Sequence, residues 1–180
     1  MNAVSEASTP GIVIARMPYG DTGLLVTWAT AGAGVMKTMA RGALGPKSKL
    51  VLDLFYLCEV RYKPSAKSEI AALREARLLH PFLALRRDWR TLLCAQYFAD
   101  LLAAFSEPHT EMAEPFELLE KALRYLEEKE PHRKLVDRYE TRLLEMSGLS
   151  ADRPKALEHA VASHHHSMPA TRDRLLKALG

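Results

Sequence analysis

The chain has 180 residues, of which 48% are hydrophobic, so it can bury a real core, which argues against wholesale disorder. Its net charge of +3 is modest but uneven, because residues 1–90 carry 13 Lys and Arg against 7 Asp and Glu, whereas residues 91–180 carry 12 against 15. A basic first half and a mildly acidic second half predict one part facing nucleic acid and another facing a different partner.

The two cysteines, Cys58 and Cys94, are far apart and each lies inside an apolar run. We expect both to be reduced and buried, where a free cysteine behaves as a small hydrophobic residue. Because the sequence has no CxxC pair, a cysteine zinc site is excluded. The N-terminal MNAVSEASTP lacks the pattern of a secretory signal, and no run approaches the ~18 apolar residues of a membrane span. We therefore expect a cytoplasmic protein with no membrane partner.

Short strands separated by turns dominate the first half of the chain. Residues 1–10 are predicted to be a flexible tail, followed by strands at 11–17, 24–30 and 35–41. Turns that contain glycine lie between them, which favours an antiparallel meander.

Residues 51–63 alternate over a long stretch and are predicted to be the best strand, with Phe55 and Leu57 on its polar face. Residues 68–76 can pair back as a fifth strand, although their composition is more typical of a helix. Five short strands within residues 11–78 predict a small closed barrel.

After His80-Pro81 the pattern becomes helical, and residues 79–180 are predicted to form an all-α domain. Residues 83–105 are apolar nearly all round, which is typical of a buried central helix. Helical spacing predicts the buried faces of a second and a third helix, Phe116, Leu119, Leu123 and Leu126, then Val136, Tyr139, Leu143 and Met146. Gly148 is predicted to end the third helix. A short helix is expected near 155–163, and Thr171 is expected to cap a last one at 172–179.

The segment 34–50, GVMKTMARGALGPKSKL, is the strongest functional candidate. Lys37 and Arg41 fall on one face of its strand, and Lys47 and Lys49 follow in a basic turn, so together they can follow a chain of phosphates. A nucleotide phosphate loop is excluded, because the glycine spacing is wrong and Pro46 has no N–H to donate. The alternative is a solvated hairpin loop without a partner.

Two aromatic residues precede this segment. Tyr19 lies in a turn and is the better candidate for stacking on a base, whereas Trp28 shares a strand face with Leu24 and Val26 and is predicted to pack in the core.

The histidines near the end of the chain resemble metal ligands in type, but a solvated loop is the better interpretation, because Ser163 and Pro169 interrupt the helix that would align them. These histidines are His159 and the run His164 to His166. We predict no metal site, no cofactor and no catalytic residue, since the sequence has no HExxH, no dinucleotide loop and no nucleophile–base motif.

The order of these pieces resembles the recombination mediator family RecO. PYGDT at 18–22 resembles the family's first turn, ARGA at 40–43 followed by KSK at 47–49 resembles its basic loop, and RYETRLLEMSGL at 138–149 resembles a segment of its helical part. The resemblance covers about residues 11–150.

The resemblance implies an α+β protein, with an N-terminal five-stranded OB barrel followed by a helical domain. It implies binding of single- and double-stranded DNA, strand annealing, and loading of recombinase onto DNA coated by single-strand-binding protein, with RecR as partner. In an OB barrel, strands 2 and 3 and their loops form the binding face. Lys37, Arg41, Lys47 and Lys49 would then meet phosphates, with a second rank of Arg16, Arg61, Lys63 and Lys67.

The resemblance also implies a groove on the helical domain for the acidic tail of single-strand-binding protein. Its candidate contacts are Arg124, Arg133, Lys134, Arg138 and Arg142. Charged residues at this spacing are otherwise typical of a solvated helix face.

Three departures from the family pattern matter. The paired arginines after R-G-A are replaced by Leu44 and Gly45, Val35 stands where a cation is usual, and the cysteine-bearing C-terminal module is missing, so no structural zinc is expected. The leading hypothesis is a non-enzymatic DNA repair mediator. The alternative is an adaptor whose helical domain binds a repair partner while the barrel acts as a scaffold.

Overall fold

The structure is a computed structural model that describes residues 5–106, 110–149, 155–164 and 166–180. It divides into a barrel unit, residues 1–81 with 108–112, and a helical unit, residues 82–107 with 113–180. In the described part of the chain, no helix is long and apolar enough to cross a membrane. The strands are β1 Ala7–Tyr19, β2 Gly23–Thr30, β3 Gly34–Ala40, β4 Leu57–Lys63 and β5 Ile70–His80, and the helices are α1 Trp89–Phe105, α2 Ala113–Glu128, α3 Arg133–Met146, α4 Ala156–Ser163 and α5 Thr171–Leu179.

The five strands form a closed barrel in the order β1-β2-β3-β5-β4. All neighbouring strands are antiparallel except β3 and β5, which run parallel with Lys37 opposite Ile70 and Met39 opposite Ala72. This arrangement confirms the predicted class, a small OB-type barrel followed by a helical domain.

Trp28 lies at the centre of the barrel core and is completely buried. Its indole Nε1–H donates to Thr38 Oγ1 at 2.8 Å, so the polar atom is satisfied inside the barrel. Trp28 therefore packs in the core as predicted and is not available for stacking on a base. The surrounding core includes Val13, Leu24, Val26, Met36 and Val60.

The first strand starts earlier than predicted. β1 begins at Ala7, because residues 7–12 pair with β4 from Ala7 opposite Tyr62 to Ile12 opposite Leu57. The Ser8 hydroxyl donates to Glu59 on that strand. The small polar residues that resemble a tail in the sequence thus form the part of β1 that pairs with β4 and closes the barrel, and the tail prediction was wrong for residues 7–10.

The predicted strand 51–63 was wrong in its first half, since β4 begins only at Leu57. Phe55 has a left-handed backbone, φ +65°, and its N–H donates to the Val13 carbonyl at 2.7 Å while Val13 N–H donates to the Tyr56 carbonyl. Phe55 and Leu57 are both buried, so neither side chain is exposed with the charged residues of this stretch. A turn interrupts the predicted strand here, and it is closed by a hydrogen bond from the Tyr56 N–H to the Asp53 carbonyl.

The fifth strand is confirmed and is longer than predicted, reaching His80. Its helix-like composition is overridden by pairing on both sides, with β4 from Ala72 to His80 and with β3 at Ile70 to Ala72. Strand formation depends on cross-strand neighbours more than on intrinsic preference, so this outcome is physically reasonable.

The predicted helix 83–105 is divided in two. A 3-10 helix covers Leu83–Arg87, and α1 begins after Asp88, whose carboxylate Oδ1 accepts from the N–H groups of Arg90 and Thr91. Hydrogen bonds, the Thr91 hydroxyl first among them, hold the pKa of Asp88 below its usual value, so the cap stays ionised. The rest of α1 is buried on most sides, as predicted.

The amphipathic faces of α2 and α3 are buried as predicted, except that Met146 is only partly buried. Gly148 follows α3 with a φ of +72°, which confirms its role as a helix terminator. The prediction that Thr171 caps the last helix was wrong. Thr171 is the first residue of α5, and its hydroxyl donates to Asp100 Oδ2 on α1 at 2.9 Å.

Candidate nucleic-acid interface

Three loops meet at one end of the barrel, namely the β1–β2 turn, the loop after β3 and the β4–β5 turn. The Leu44 N–H donates to the Thr22 carbonyl at 2.9 Å and fixes the second loop to the first. A groove of about 810 Å³ opens there, lined by residues of these loops and of β3 and β5. Tyr19, Arg41 and Lys63 are the aromatic and cationic side chains in its lining.

Local backbone geometry holds Tyr19 at the edge of this groove. Tyr19 is the last residue of β1 and 58% of its surface is exposed. A Cβ at Gly23 would lie 2.5 Å from the Tyr19 carbonyl oxygen, so only glycine permits this tight return into β2. Gly42, with φ +70°, turns the chain sharply after Arg41.

Three cations lie in or beside the groove, Lys37, Arg41 and Lys63, and we call them the groove cations. Arg41 and Lys63 line the groove, and Lys37 lies beside Ile70, another lining residue, in the β3–β5 register. Within the described residues, none of the three forms an ion pair with a carboxylate. Asp21 is an acid in the same lining.

The other predicted barrel cations divide into two groups. Lys47, Lys49 and Lys67 are exposed in the loops that follow β3 and β4. Arg16 forms an ion pair with Asp53 at 3.0 Å, and Arg61 forms ion pairs with Glu75 at 2.9 Å and with Glu6 at 4.0 Å. Their positive charge is therefore partly cancelled by neighbouring carboxylates.

The floor of the groove is apolar, which the sequence analysis missed. Met39, Ile70 and Ala72 line it, and Leu25 and the 54% exposed Met17 continue this surface across β2 and β1. The sequence gives one indication of this apolar floor, because Met39 lies between Lys37 and Arg41 on the same face of the predicted strand. Cations around an apolar floor beside an exposed tyrosine can hold phosphates at the rim and bases at the centre.

A separate cavity of about 440 Å³ lies between α2 and α3 in the helical unit. Its apolar lining is Leu118, Ala122, Tyr125, Leu135 and Tyr139, its cationic lining is Lys121, Lys134, Arg138 and Arg142, and His132 completes it. The predicted partner contacts Lys134, Arg138 and Arg142 are thus brought together. Lys121 and His132 were missed, although Lys121 follows Leu118 at helical spacing.

The other two predicted partner contacts lie outside this cavity. Arg124 donates to Glu120 at 2.7 Å and its guanidinium lies 5.6 Å from the Phe82 ring centre, and Arg133 pairs with Asp137 at 3.0 Å. Arg142 pairs with Glu145 at 2.7 Å. Lys134 and Arg138 have no carboxylate partner in the described part of the chain.

His132 shapes the rim of the α2–α3 cavity. Its Nδ1 accepts from the Leu135 N–H at 3.2 Å and caps α3, and its Nε2 lies 3.0 Å from the Tyr125 hydroxyl. Because Nδ1 accepts, this geometry assigns the ring proton to Nε2.

The histidines near the end of the chain do not share a helix face, because α4 ends at Ser163. The His164 ring lies 5.8 Å from the Phe105 ring, and the His166 N–H donates to the Val161 carbonyl. His165 lies outside the described residues. Over the described residues, no group of three or more His, Cys, Asp or Glu side chains is placed to hold a metal ion.

The barrel, its groove and the helical unit define a class, the OB-barrel proteins with an appended helical domain. The family model described as Recombination protein O N terminal matches residues 1–82, and the one described as Recombination protein O C terminal matches residues 86–152. The chain belongs to the RecO family.

Several curated relatives carry the name DNA repair protein RecO. The protein of Syntrophus aciditrophicus is 29% identical over 150 residues, which cover 82% of this chain and 58% of the relative. That of Anaeromyxobacter dehalogenans is 28% identical over 148 residues, 81% of this chain and 58% of the relative, and that of Halalkalibacterium halodurans is 28% identical over 144 residues, 79% and 56%. The chain thus spans a little over half the length of these relatives.

Proposed function

We propose that this chain is a non-enzymatic DNA-binding protein of recombinational repair whose barrel groove holds the DNA. The observation that carries the proposal is the set of groove cations around an apolar floor, none of them ion-paired within the described residues. Membership of the RecO family and the printed name of its relatives, DNA repair protein, support the same function.

The groove would act by positioning alone. Lys37, Arg41 and Lys63 neutralise backbone phosphates, with Lys47, Lys49 and Lys67 in the adjoining loops, while Tyr19 stacks on a base. Two complementary strands whose charges are screened and whose bases stay accessible can anneal without an acid, a base or a metal. Within the same proposal, RecR and single-strand-binding protein are the partners through which recombinase would be loaded.

The direct test is binding of labelled single- and double-stranded oligonucleotides by fluorescence anisotropy at several salt concentrations. If about four phosphates are neutralised, the log–log salt slope is about −3. Reversal of two groove charges, Lys37→Glu with Arg41→Glu, should abolish binding.

A matched control changes the net charge equally at exposed positions of α5, Arg174→Glu with Lys177→Glu. If both double variants bind DNA as the native chain does, the groove is not the binding site and the barrel is only a scaffold.

The α2–α3 cavity favours a second function, binding of an acidic partner peptide. Its apolar centre and basic rim complement a segment that has carboxylates beside apolar side chains. The acidic tail of single-strand-binding protein has this chemistry, and we propose it as the occupant. This function would also serve the adaptor hypothesis.

Calorimetric titration with single-strand-binding protein, with and without its acidic tail, tests this second function. Arg138→Glu should remove tail-dependent binding, because Arg138 lines the cavity. Arg133→Glu is the control, since Arg133 lies outside the lining and already pairs with Asp137. Equal loss in both variants would assign the effect to general charge and overturn the site.

A further inference from the structure

A second cavity of about 440 Å³ in the helical unit lies away from the α2–α3 cavity. It is lined by Arg87, Asp88, Trp89 and Arg90 around the start of α1, and by Glu130 and Pro131 after α2. Neither the predicted DNA contacts nor the predicted partner contacts include any of these residues.

Hydrogen bonds fix the two walls of this cavity to each other. The Arg87 guanidinium donates to the carbonyl oxygens of Glu127, Leu126 and Lys129 at 2.9, 3.1 and 2.7 Å. The first two carbonyls belong to the last turn of α2 and that of Lys129 directly follows it, so Arg87 ties the start of α1 to the segment that carries Glu130. The cavity is therefore preformed.

Trp89 is the exposed aromatic side chain of this cavity, with 61% of its surface accessible. Asp88 caps α1 immediately before it, so the backbone that carries the indole is held in place. The Arg90 guanidinium lies 5.6 Å from the Trp89 ring centre. An exposed tryptophan on a fixed stretch of backbone, with a guanidinium near its ring, can stack on an unpaired base.

The charges of this cavity favour an uncharged planar group over a phosphate. Arg87 already donates to three carbonyls, and Asp88 and Glu130 add two carboxylates against Arg90. A phosphate would meet these acids, whereas a nucleobase presents a π-face to the indole and carries no charge.

We propose that Trp89 stacks an unpaired base of single-stranded DNA, as a base-binding site in the helical unit distinct from the barrel groove. The inference rests on the proposed function, because the ligand is again DNA. It requires different residues, however, and it depends on base stacking, whereas the barrel groove neutralises phosphates. Stacking releases no counterions, so this site adds affinity without adding to the salt slope. A duplex hides its base faces, so the site acts on single strands.

Intrinsic fluorescence gives a direct readout, because the chain has two tryptophans and Trp28 is completely buried. Titration with a short oligothymidylate should quench the emission of Trp89 in a saturable way. An oligomer of the same length built from abasic residues keeps the phosphates but offers nothing to stack on. It should leave the emission unchanged.

Anisotropy with the labelled oligothymidylate tests the contribution to affinity. Trp89→Ala should raise Kd about fivefold or more and leave the salt slope unchanged, whereas Trp89→Tyr should recover most of the loss. Leu83→Ala is the matched control, because Leu83 is 57% exposed in the 3-10 helix but cannot stack on a base. Circular dichroism of each variant verifies the fold.

The outcomes separate this inference from the proposed function. If the native chain and Trp89→Ala bind equally and no quenching occurs, the Trp89 site is overturned while the barrel groove stands. If quenching and the loss in Trp89→Ala are observed but Lys37→Glu with Arg41→Glu binds normally, the barrel proposal fails and the Trp89 site is supported. If Leu83→Ala weakens binding as much as Trp89→Ala, the effect is one of apolar area and base stacking is overturned.

Discussion

Arg172 forms a two-pronged ion pair with the buried Glu140, from Nε to Oε1 at 2.8 Å and from Nη2 to Oε2 at 3.1 Å. The Tyr97 hydroxyl donates to the same carboxylate. Three helices, α5, α3 and α1, therefore meet at one carboxylate, and α5 lies beyond the residues that the family models match. Removal of either partner would leave a charge with too few hydrogen bonds in a largely dry site.

We predict that Arg172→Met lowers the free energy of unfolding by about 2–3 kcal/mol, which is less than the about 3–5 kcal/mol of a fully buried pair because the Arg172 side chain is partly exposed. Urea unfolding followed by circular dichroism measures this. Arg142→Met breaks the exposed pair with Glu145 and should cost about 0–1 kcal/mol. Equal costs in the two variants would show that the buried carboxylate is not a junction of the helices.

The buried thiols predict a loss of stability in alkali. Burial raises the pKa of Cys58 to about 11 and that of Cys94 to about 12, from 9.0. Because these folded-state pKa values lie above the unfolded one, the stabilisation is complete below pH 9 and is lost as the pH rises from 9 towards 11 and 12. Urea unfolding at pH 7.5, 9 and 10.5 should show a fall only above 9. Cys58→Ala should make this fall shallower, whatever its effect at pH 7.5.

The Trp28–Thr38 hydrogen bond predicts a cost for a substitution that preserves shape. Thr38→Val leaves the indole N–H unpaired in the barrel core, which should cost about 1–3 kcal/mol. Thr27→Val, on the half-buried outer side of β2, makes the same chemical change and should stay within about 0.5 kcal/mol of native. Thermal unfolding of the two variants provides the comparison, and a similar midpoint in both would contradict the role of the bond.

Ion pairing predicts which barrel cations matter for DNA. Arg41→Gln should weaken binding and make the salt slope shallower by about 0.7 on single-stranded and about 0.9 on double-stranded DNA, because one phosphate contact is lost. Arg61→Gln should change the slope much less, since Arg61 already faces Glu75 and Glu6. Anisotropy titrations at matched salt concentrations measure both slopes. A larger effect at Arg61 would mean that its carboxylate partners are displaced by DNA.

Local patterns in the sequence predicted much of this fold. The three meander strands and the buried faces of α2 and α3 follow from side-chain periodicity, which depends only on near neighbours. The turn at Phe55 did not follow, because the alternation continues through it and its left-handed backbone is fixed by hydrogen bonds with the distant Val13. The β3–β5 pairing was likewise not predictable, because it joins segments that are distant in sequence and no local pattern indicates that they pair.

The candidate site was predictable to a similar degree. Alternation alone predicts that Lys37 and Arg41 share a strand face. In the structure Lys37 lies in β3, and Arg41 directly follows the last residue of that strand and lines the groove. The ion pairs of Arg16 and Arg61 depend on Asp53, Glu6 and Glu75, which the sequence cannot place beside them. Trp89 was missed because it lies within the apolar stretch 83–105, which predicts one long buried helix, whereas the Asp88 cap puts it at an exposed helix end.

The parallel pairing of β3 with β5 has a consequence for the order of folding during synthesis. Ala7 of β1 cannot pair until its partner Tyr62 of β4 has been synthesised. The barrel closes only when Ile70 of β5 can pair with Lys37 of β3. Helices need only neighbours a few residues away and assemble fast, whereas such distant pairings are slow. The N-terminal unit, although it leaves the ribosome first, is thus held open until most of its strands have emerged, and its unpaired edges need protection from other nascent chains over that interval.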